Sequence, residues 1–188
     1  MKKFAFLLLS VLILSAFTTQ MIWKADKTHT ELNFSIVHMG ISEVSGCFKD
    51  FEANIETSKA DFSDAVITMT AQINSIDTRF AKRDEHLMAE GFFDVAKHPT
   101  MTFKSTAVKK KGKNKFKVTG DLTLKGVTKS IELDLVKVGQ IEHPRSKKQL
   151  AAFKISGEIN RTDFGVGQAG GSVSEIVKIM AQGEFIQG

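Results

Sequence analysis

Apolar and polar residues alternate with a period of two over most of the chain. This period puts successive side chains on opposite faces of an extended strand, so each run predicts a half-buried strand. Turn-forming stretches such as KKKGKNK and KGVT separate the runs. The alternation predicts an all-β protein of around eight antiparallel strands that close into a barrel or sandwich. The apolar positions that carry it are Leu32, Phe34, Ile36, Ile67, Met69, Ala71, Ile73, Met101, Phe103, Phe116, Val118, Ile131, Leu133, Leu135, Phe153, Ile155, Ile159, Val177, Ile179 and Ala181.

One segment departs from this period. Between Thr78 and Ala89, apolar residues recur at spacings of three and four, which predicts a short helix inserted between two strands. Asp77 or Thr78 can cap its start, and Gly91 can end it. Because no other stretch has a strong helical spacing, we expect an all-β fold with one short helical insertion.

The first twenty residues have the organisation of a secretory signal peptide. Lys2 and Lys3 precede an uncharged apolar run at 4–17, and polar residues follow. The run is shorter than the roughly 20 apolar residues that a membrane anchor needs. We therefore expect 1–20 to be a cleaved signal and 21–188 to be one secreted domain, periplasmic if the source is a bacterium. The alternative is an N-terminal anchor that holds the same domain outside the membrane.

The net charge bears on the partners that the protein can bind, and the cysteine content bears on its disulfides. Without Lys2 and Lys3 the formal charge falls from +5 to +3, which gives little reason to expect nucleic acid. Cys47 is the only cysteine, so an intramolecular disulfide is excluded and the thiol fits a small buried side chain. The lysine-rich run 109–115 predicts a solvated hairpin tip, with transient membrane contact as the alternative. The oligomeric state stays open, and a homodimer is compatible with the sequence.

The aromatic composition bears on the interior. The chain has 15 Phe, one Trp and no Tyr, and three of the Phe lie within 1–20. Phe has no polar group with which to orient a polar ligand, whereas Tyr has a hydroxyl. An eight-stranded barrel is just wide enough for its own side chains or for one small ligand. The interior therefore suits either an apolar ligand or a core that phenylalanine fills.

No arrangement typical of catalysis is visible. The five histidines form no HExxH or similar metal pattern, and no serine lies in a nucleophile elbow. We therefore expect a protein that is not an enzyme and that has no catalytic residue, metal or cofactor. His86 and Glu90 share a helical face with Asp84 nearby, which leaves a weak metal site and a lipid head-group enzyme as minor alternatives.

Four stretches of the chain resemble the YceI-like family of secreted lipid- or polyisoprenoid-binding proteins. The first is W-x-x-D-x-x-H-T-x-x-x-F-x-I-x-H-M-G-I-S-x-V-x-G-x-F at 23–48, and the second joins RDEHL, FFDV and KHPTMTFKS within 83–105. The third is GDLTLKGVTK at 120–129, and the fourth is INRTDFG at 159–165, followed by VSEIVKI. The resemblance implies an eight-stranded, lipocalin-like antiparallel β-barrel that a helical segment closes. It also implies a long apolar chain inside, either a polyisoprenoid or a fatty acid or amide.

These observations lead to one leading hypothesis, a barrel that holds an elongated lipid for transport, storage or sequestration. A packed barrel without ligand, acting in stress response or partner binding, is the alternative. We expect Arg83, Asp84 and His86 to fix the helix to the barrel wall. Arg83 or Asp84 is expected to pair there with Arg161 or Asp163. The expected lining of the tunnel is Phe34, Ile36, Met69, Ile73, Phe103, Leu133, Phe153 and Ile155, with Leu87, Phe92 and Phe93 near its closed end.

Overall fold

Ten strands and one helix account for most of the chain in the computed structural model, which describes residues 19–188. The predicted signal peptide lies almost entirely outside the described residues and stays a prediction. None of the described helices is long and apolar enough to span a membrane. The elements are β1 (Met21–His38), β2 (Ser42–Phe48), β3 (Phe51–Thr57), β4 (Val66–Gln72), β5 (Ile76–Asp77), α1 (Ala81–Met88), β6 (Thr100–Lys110), β7 (Lys115–Leu124), β8 (Val127–Glu142), β9 (Gln149–Asn160) and β10 (Val173–Gln187), with 3-10 turns at Ile73–Ser75 and Arg161–Phe164.

Eight of these strands close into a barrel. They pair antiparallel in the order β1, β3, β4, β6, β7, β8, β9 and β10, and β10 pairs back onto β1. The predicted eight-stranded barrel is therefore confirmed. The two further strands lengthen one wall, because β2 pairs with Asn33–His38 of β1 and β5 pairs with the end of β2.

Aromatic side chains fill one end of the barrel, which we call the base. Trp23 lies 5.3 Å from Phe62 between ring centroids, Phe62 lies 5.2 Å from Phe153, and Phe153 lies 5.6 Å from Phe185. All four side chains are buried. Phe62 comes from the loop between β3 and β4, so this loop covers the barrel interior at the base. Aromatic pairs in tilted or edge-to-face contact add to the free energy that their burial contributes.

The helix lies at the opposite end, which we call the mouth. It is shorter than the predicted span, and neither Asp77 nor Thr78 is its N-cap, because Phe80 occupies that position. Arg79 has a φ of 64°, and this left-handed turn separates the two polar residues from the first helical turn. Asp77 instead accepts a hydrogen bond from the Arg79 amide at 2.7 Å.

Candidate functional site: an apolar cavity that reaches the mouth

Two cavities occupy the barrel interior. The larger has a volume of about 380 Å³ and lies at the mouth, and the smaller has a volume of about 90 Å³ and lies toward the base. His86 and Ser172 line the larger cavity and are exposed, so this cavity communicates with solvent. The two cavities have four lining residues in common, which we call the neck: Leu32, Met69, Leu122 and Ile179.

Most of the predicted tunnel residues line these cavities, although their contact with a ligand stays a prediction. Phe34, Ile36, Leu87, Phe92 and Phe93 surround the larger cavity. Another group of predicted residues surrounds the smaller cavity, and Met69 lines both cavities. The members of that group are Phe103, Leu133, Phe153 and Ile155.

Two parts of the predicted lining lie in places other than those expected. Ile73 lines neither of the two cavities in the described chain. The strand ends at Gln72, and Ile73 is buried in a 3-10 turn where its amide donates to the Pro99 carbonyl at 2.8 Å. Leu87, Phe92 and Phe93 do not lie at a closed end, because they border the larger cavity at the mouth while the base aromatics fill the other end.

The polar lining of the larger cavity is cationic or neutral. Among its described lining residues there is no Asp or Glu, although two arginines and two histidines contribute to the wall. A polar or anionic group of a bound molecule would therefore meet hydrogen-bond donors at this end and no repelling carboxylate. The polar lining residues are Asn33, His38, Thr78, Arg83, His86, Arg161 and Ser172.

Arg161 organises the loop that forms one side of the mouth. Its guanidinium is buried and donates to four backbone carbonyls. The distances are 2.9 Å from Nε to Ser174 O, 2.7 Å from Nη1 to Val166 O, and 3.0 and 3.2 Å from Nη2 to Gln168 O and Val173 O. Carbonyl dipoles thus replace the carboxylate that a buried cation usually requires. The loop between Arg161 and β10 takes its shape from this one side chain.

The predicted pairing between the helix and Arg161 or Asp163 is wrong. Arg83 donates from Nε to Thr78 Oγ1 at 2.8 Å and from Nη2 to Thr78 O at 2.6 Å. Asp84 accepts from the Thr78 amide at 2.9 Å and from its hydroxyl. Asp163 is exposed and lies 3.7 Å from Lys129 Nζ. Buried Thr78 is therefore the anchor of the helix, because it satisfies both charged side chains locally.

Other contacts hold the helical segment to the barrel. Lys125 Nζ donates to the carbonyls of Glu90 and Gly165, both at 2.8 Å. The Gly167 amide donates to Gly91 O at 3.1 Å. Lys125 lies in the tight turn between β7 and β8. Three connected segments therefore contribute to the mouth, which are 78–99, the turn at 125–126, and 161–174.

His86 packs against an aromatic ring at the mouth. Its ring packs edge-on against Phe92 at 4.7 Å between centroids. Asp84 is bonded to Thr78, and Glu90 accepts from Lys97 Nζ at 3.1 Å. Within the described part of the chain, neither carboxylate contacts His86 closely enough to orient its ring. The helical spacing that suggested a head-group enzyme or a metal site therefore brings no carboxylate to His86 among the described residues.

A different histidine belongs to a charged cluster that sequence reasoning missed. His29 Nδ1 lies 2.9 Å from Asp26 Oδ2 and 3.9 Å from Glu184 Oε2. The hydrogen bond to His29 lowers the pKa of Asp26 to about 2, and the same bond raises the pKa of His29 above 6.5. The pairing of β1 with β10 has a register shift, a bulge, between Ala25 and Thr30. The spacing D-x-x-H is the only sequence signal of the charged cluster. The cluster lies outside both cavities. We call it the clasp, because we interpret its contacts as holding the strand at this bulge.

Taken together, the fold and the cavities place the molecule among closed antiparallel β-barrels with a ligand-sized apolar interior. The chain belongs to the YceI-like family, because residues 23–185 match the YceI-like domain. Protein YceI of Salmonella arizonae is 37% identical over 191 residues, covering 100% of this chain and 99% of that protein. These matches confirm the resemblance that the four motifs indicated.

Two solved structures have the same fold. Burkholderia cenocepacia BcnA is 23% identical, with a TM-score of 0.77 over 85% of this chain and 98% of that chain. A polyisoprenoid binding domain from Saccharophagus degradans, implicated in plant cell wall breakdown, is 16% identical, with a TM-score of 0.63 over 88% of this chain and 98% of that chain. At these identities the likeness concerns the barrel architecture.

Proposed function

We propose that the protein binds one elongated lipid, whose apolar chain enters the barrel from the mouth and extends through the neck. The observation that carries the proposal is the apolar interior itself, in which two cavities adjoin at four aliphatic residues. A polyisoprenoid is the first candidate, since a structural neighbour is described as a polyisoprenoid binding domain. A fatty acid or fatty amide has the same shape and polarity.

Burial of an alkyl chain supplies enough free energy for such binding. Each methylene that leaves water contributes about 0.8 kcal/mol before the chain is ordered. The larger cavity has about 380 Å³, within the usual range for small-molecule sites. An interior with this much free space favours a bound apolar chain over the packed-barrel alternative, in which side chains would occupy the space.

The polar residues give the bound lipid a direction. The polar side chains of Arg83 and His86 lie at the mouth, whereas the lining of the smaller cavity toward the base is almost wholly apolar. A head group with acceptor oxygens would therefore stay at the mouth and the tail would point to the base. We further propose that the signal at 1–20 exports the protein, and that it carries or stores its lipid outside the cytoplasm.

The test is lipid recovery from protein purified from its own host. Organic extraction and mass spectrometry should find one long-chain lipid per protein molecule. Val177 faces the larger cavity and neighbouring Ile176 faces solvent, so the strand offers a matched pair. We expect Val177→Phe to remove most of the lipid and Ile176→Phe to retain it. Wild-type protein without stoichiometric lipid, or equal loss from both variants, would count against the proposal.

A further inference from the structure

Two hairpin tips at the base carry an unusual concentration of positive charge. They are residues 109–115, between β6 and β7, and residues 142–149, between β8 and β9, and we call them the basic tips. Their eight cations stand against one acid, Glu142. All eight are exposed. The cations are Lys109, Lys110, Lys111, Lys113, Lys115, Arg145, Lys147 and Lys148.

The strand order places the two tips side by side. Lys115 lies opposite Val136 in the ladder between β7 and β8. The Lys137 amide donates to Asn114 O at 2.9 Å, so the first tip contacts the strand that leads into the second. Lys110 Nζ also lies 2.7 Å from Asp61 in the β3–β4 loop that covers the base. Both tips therefore project from the end of the barrel opposite the mouth.

Most of this charge has no ion-pair partner among residues 19–188. Lys110 pairs with Asp61, and Lys147 lies 3.5 Å from Glu142. The other six cations form no ion pair with any described residue. The tips together carry a formal charge of +7, whereas residues 19–188 as a whole carry +3, so the rest of the described chain is at −4. The two tips thus concentrate positive charge at the base, and a planar anionic surface would attract them.

From this distribution we propose that the basic tips dock the base of the barrel on an anionic lipid bilayer. The cations are spread over two projecting tips and enclose no pocket, which suits a charged plane better than one small anion. Val138 and Ile141, on the strand that leads into the second tip, are 54% and 57% exposed and provide apolar contact beside the cations. Neither tip contains Phe, Tyr or Trp, so the large aromatic platforms on which single-stranded nucleic acids stack are absent from these segments.

This docking has a consequence for lipid exchange. With the base on the bilayer, the mouth faces away from that membrane and toward the aqueous phase. The protein would be held at one membrane while its cavity stays accessible to a second membrane or to a soluble acceptor. The docking does not depend on the proposed lipid inside the barrel, because the tips share no residue with either cavity.

Vesicle co-sedimentation tests the proposal with the full chain. Vesicles of phosphatidylcholine with about one third phosphatidylglycerol should bind the protein, and pure phosphatidylcholine vesicles should not. One variant replaces Lys109, Lys111, Lys113 and Lys115 by Gln. The charge-matched control replaces four exposed lysines that make no ion pair among the described residues, which are Lys24, Lys82, Lys104 and Lys154.

Each cation at a membrane surface contributes roughly a five-fold increase in binding, so the tip variant should lose on the order of 100-fold or more. The control should lose much less, and about 0.5 M salt should abolish wild-type binding. Equal loss from both variants, or wild-type binding by the tip variant, would overturn the proposal. So would binding to an acidic peptide or an oligonucleotide without binding to vesicles. Bound lipid is also extracted from both variants. A loss of membrane docking can then be distinguished from a loss of the lipid inside the barrel.

Discussion

The base and the mouth of the barrel are closed by different physical means. At the base, four buried aromatic side chains contact one another, and the adjoining cavity has only about 90 Å³. At the mouth, hydrogen bonds from Arg161 and Lys125 to backbone carbonyls hold the covering segments, and the cavity has about 380 Å³. Side-chain packing therefore fills space, whereas hydrogen bonds from side chains to backbone carbonyls bridge it.

This difference suits a container that opens at one end. Aromatic packing excludes a ligand from the space it occupies, so the base can act as a fixed stop for an apolar chain. A loop tied by a few hydrogen bonds can open locally without disrupting the strands beneath it. The energetic roles of the two ends can be separated by single substitutions.

The largest effect on stability is expected at the base. Trp23→Ala should lower the free energy of unfolding by about 3–5 kcal/mol, because it removes a large side chain that is only 1% exposed and leaves a cavity. Neighbouring Ile22 is 43% exposed on the outer face of the same strand, so Ile22→Ala is the matched control and should cost far less. Denaturant unfolding measures both. Equal losses would show that the base aromatics do not close this end by packing.

At the mouth, Arg161→Met should have a smaller global effect and a distinct local one. We expect a loss of about 2–4 kcal/mol, because four carbonyls lose a charged donor. Amide hydrogen exchange should accelerate in residues 165–174 while strands at the base keep their protection. Arg161→Lys should not restore stability, since an ammonium lacks the planar fork that reaches all four acceptors. Uniform acceleration over the whole barrel would refute the separation of the two ends.

The barrel was predictable from the sequence because burial on one face leaves a period of two. Leu133 and Leu135 in β8 alternate with exposed residues as expected. β2 and β3 were missed, since partly buried polar residues obscure the alternation in SEVSGCF and FEANIET. The short helix was predicted from its spacing, but its start was not, because the left-handed Arg79 cannot be inferred from periodicity.

The site was predictable where a pattern or a family motif marks its residues, which includes Leu87, Phe92 and Phe93 in the helical segment as well as the strands. Phe34 and Phe103 follow the alternation, and both line cavities. Phe62 lies in a loop at a φ of 60°, so no periodic pattern indicates that it covers the base. The sequence shows that Arg161 carries a charge, but it does not show that distant carbonyls converge on it. Tertiary structure determines both contacts.

The smallest expected effect comes from the clasp formed by Asp26, His29 and Glu184, which belongs to neither end. Because the folded-state pKa of His29 is raised above 6.5, its contribution to stability is complete below that pH. The contribution is lost as pH rises through the raised folded-state value. The pKa of Asp26 is shifted in the opposite direction, from 3.8 to about 2. Its contribution to stability therefore disappears as pH falls through that range.

The difference in the free energy of unfolding between wild type and His29→Gln should therefore be greatest between about pH 4 and 6.5. It should decline on either side of that range. Both groups are near the surface, where solvent screens their interaction, so the decline should be small beside the losses in Trp23→Ala and Arg161→Met. Thermal unfolding over a pH series measures the difference. A difference that stays constant with pH would show that packing alone holds the bulge. A decline as large as the loss in either end variant would make the clasp a third main source of the barrel's stability. The two ends alone would then no longer account for that stability.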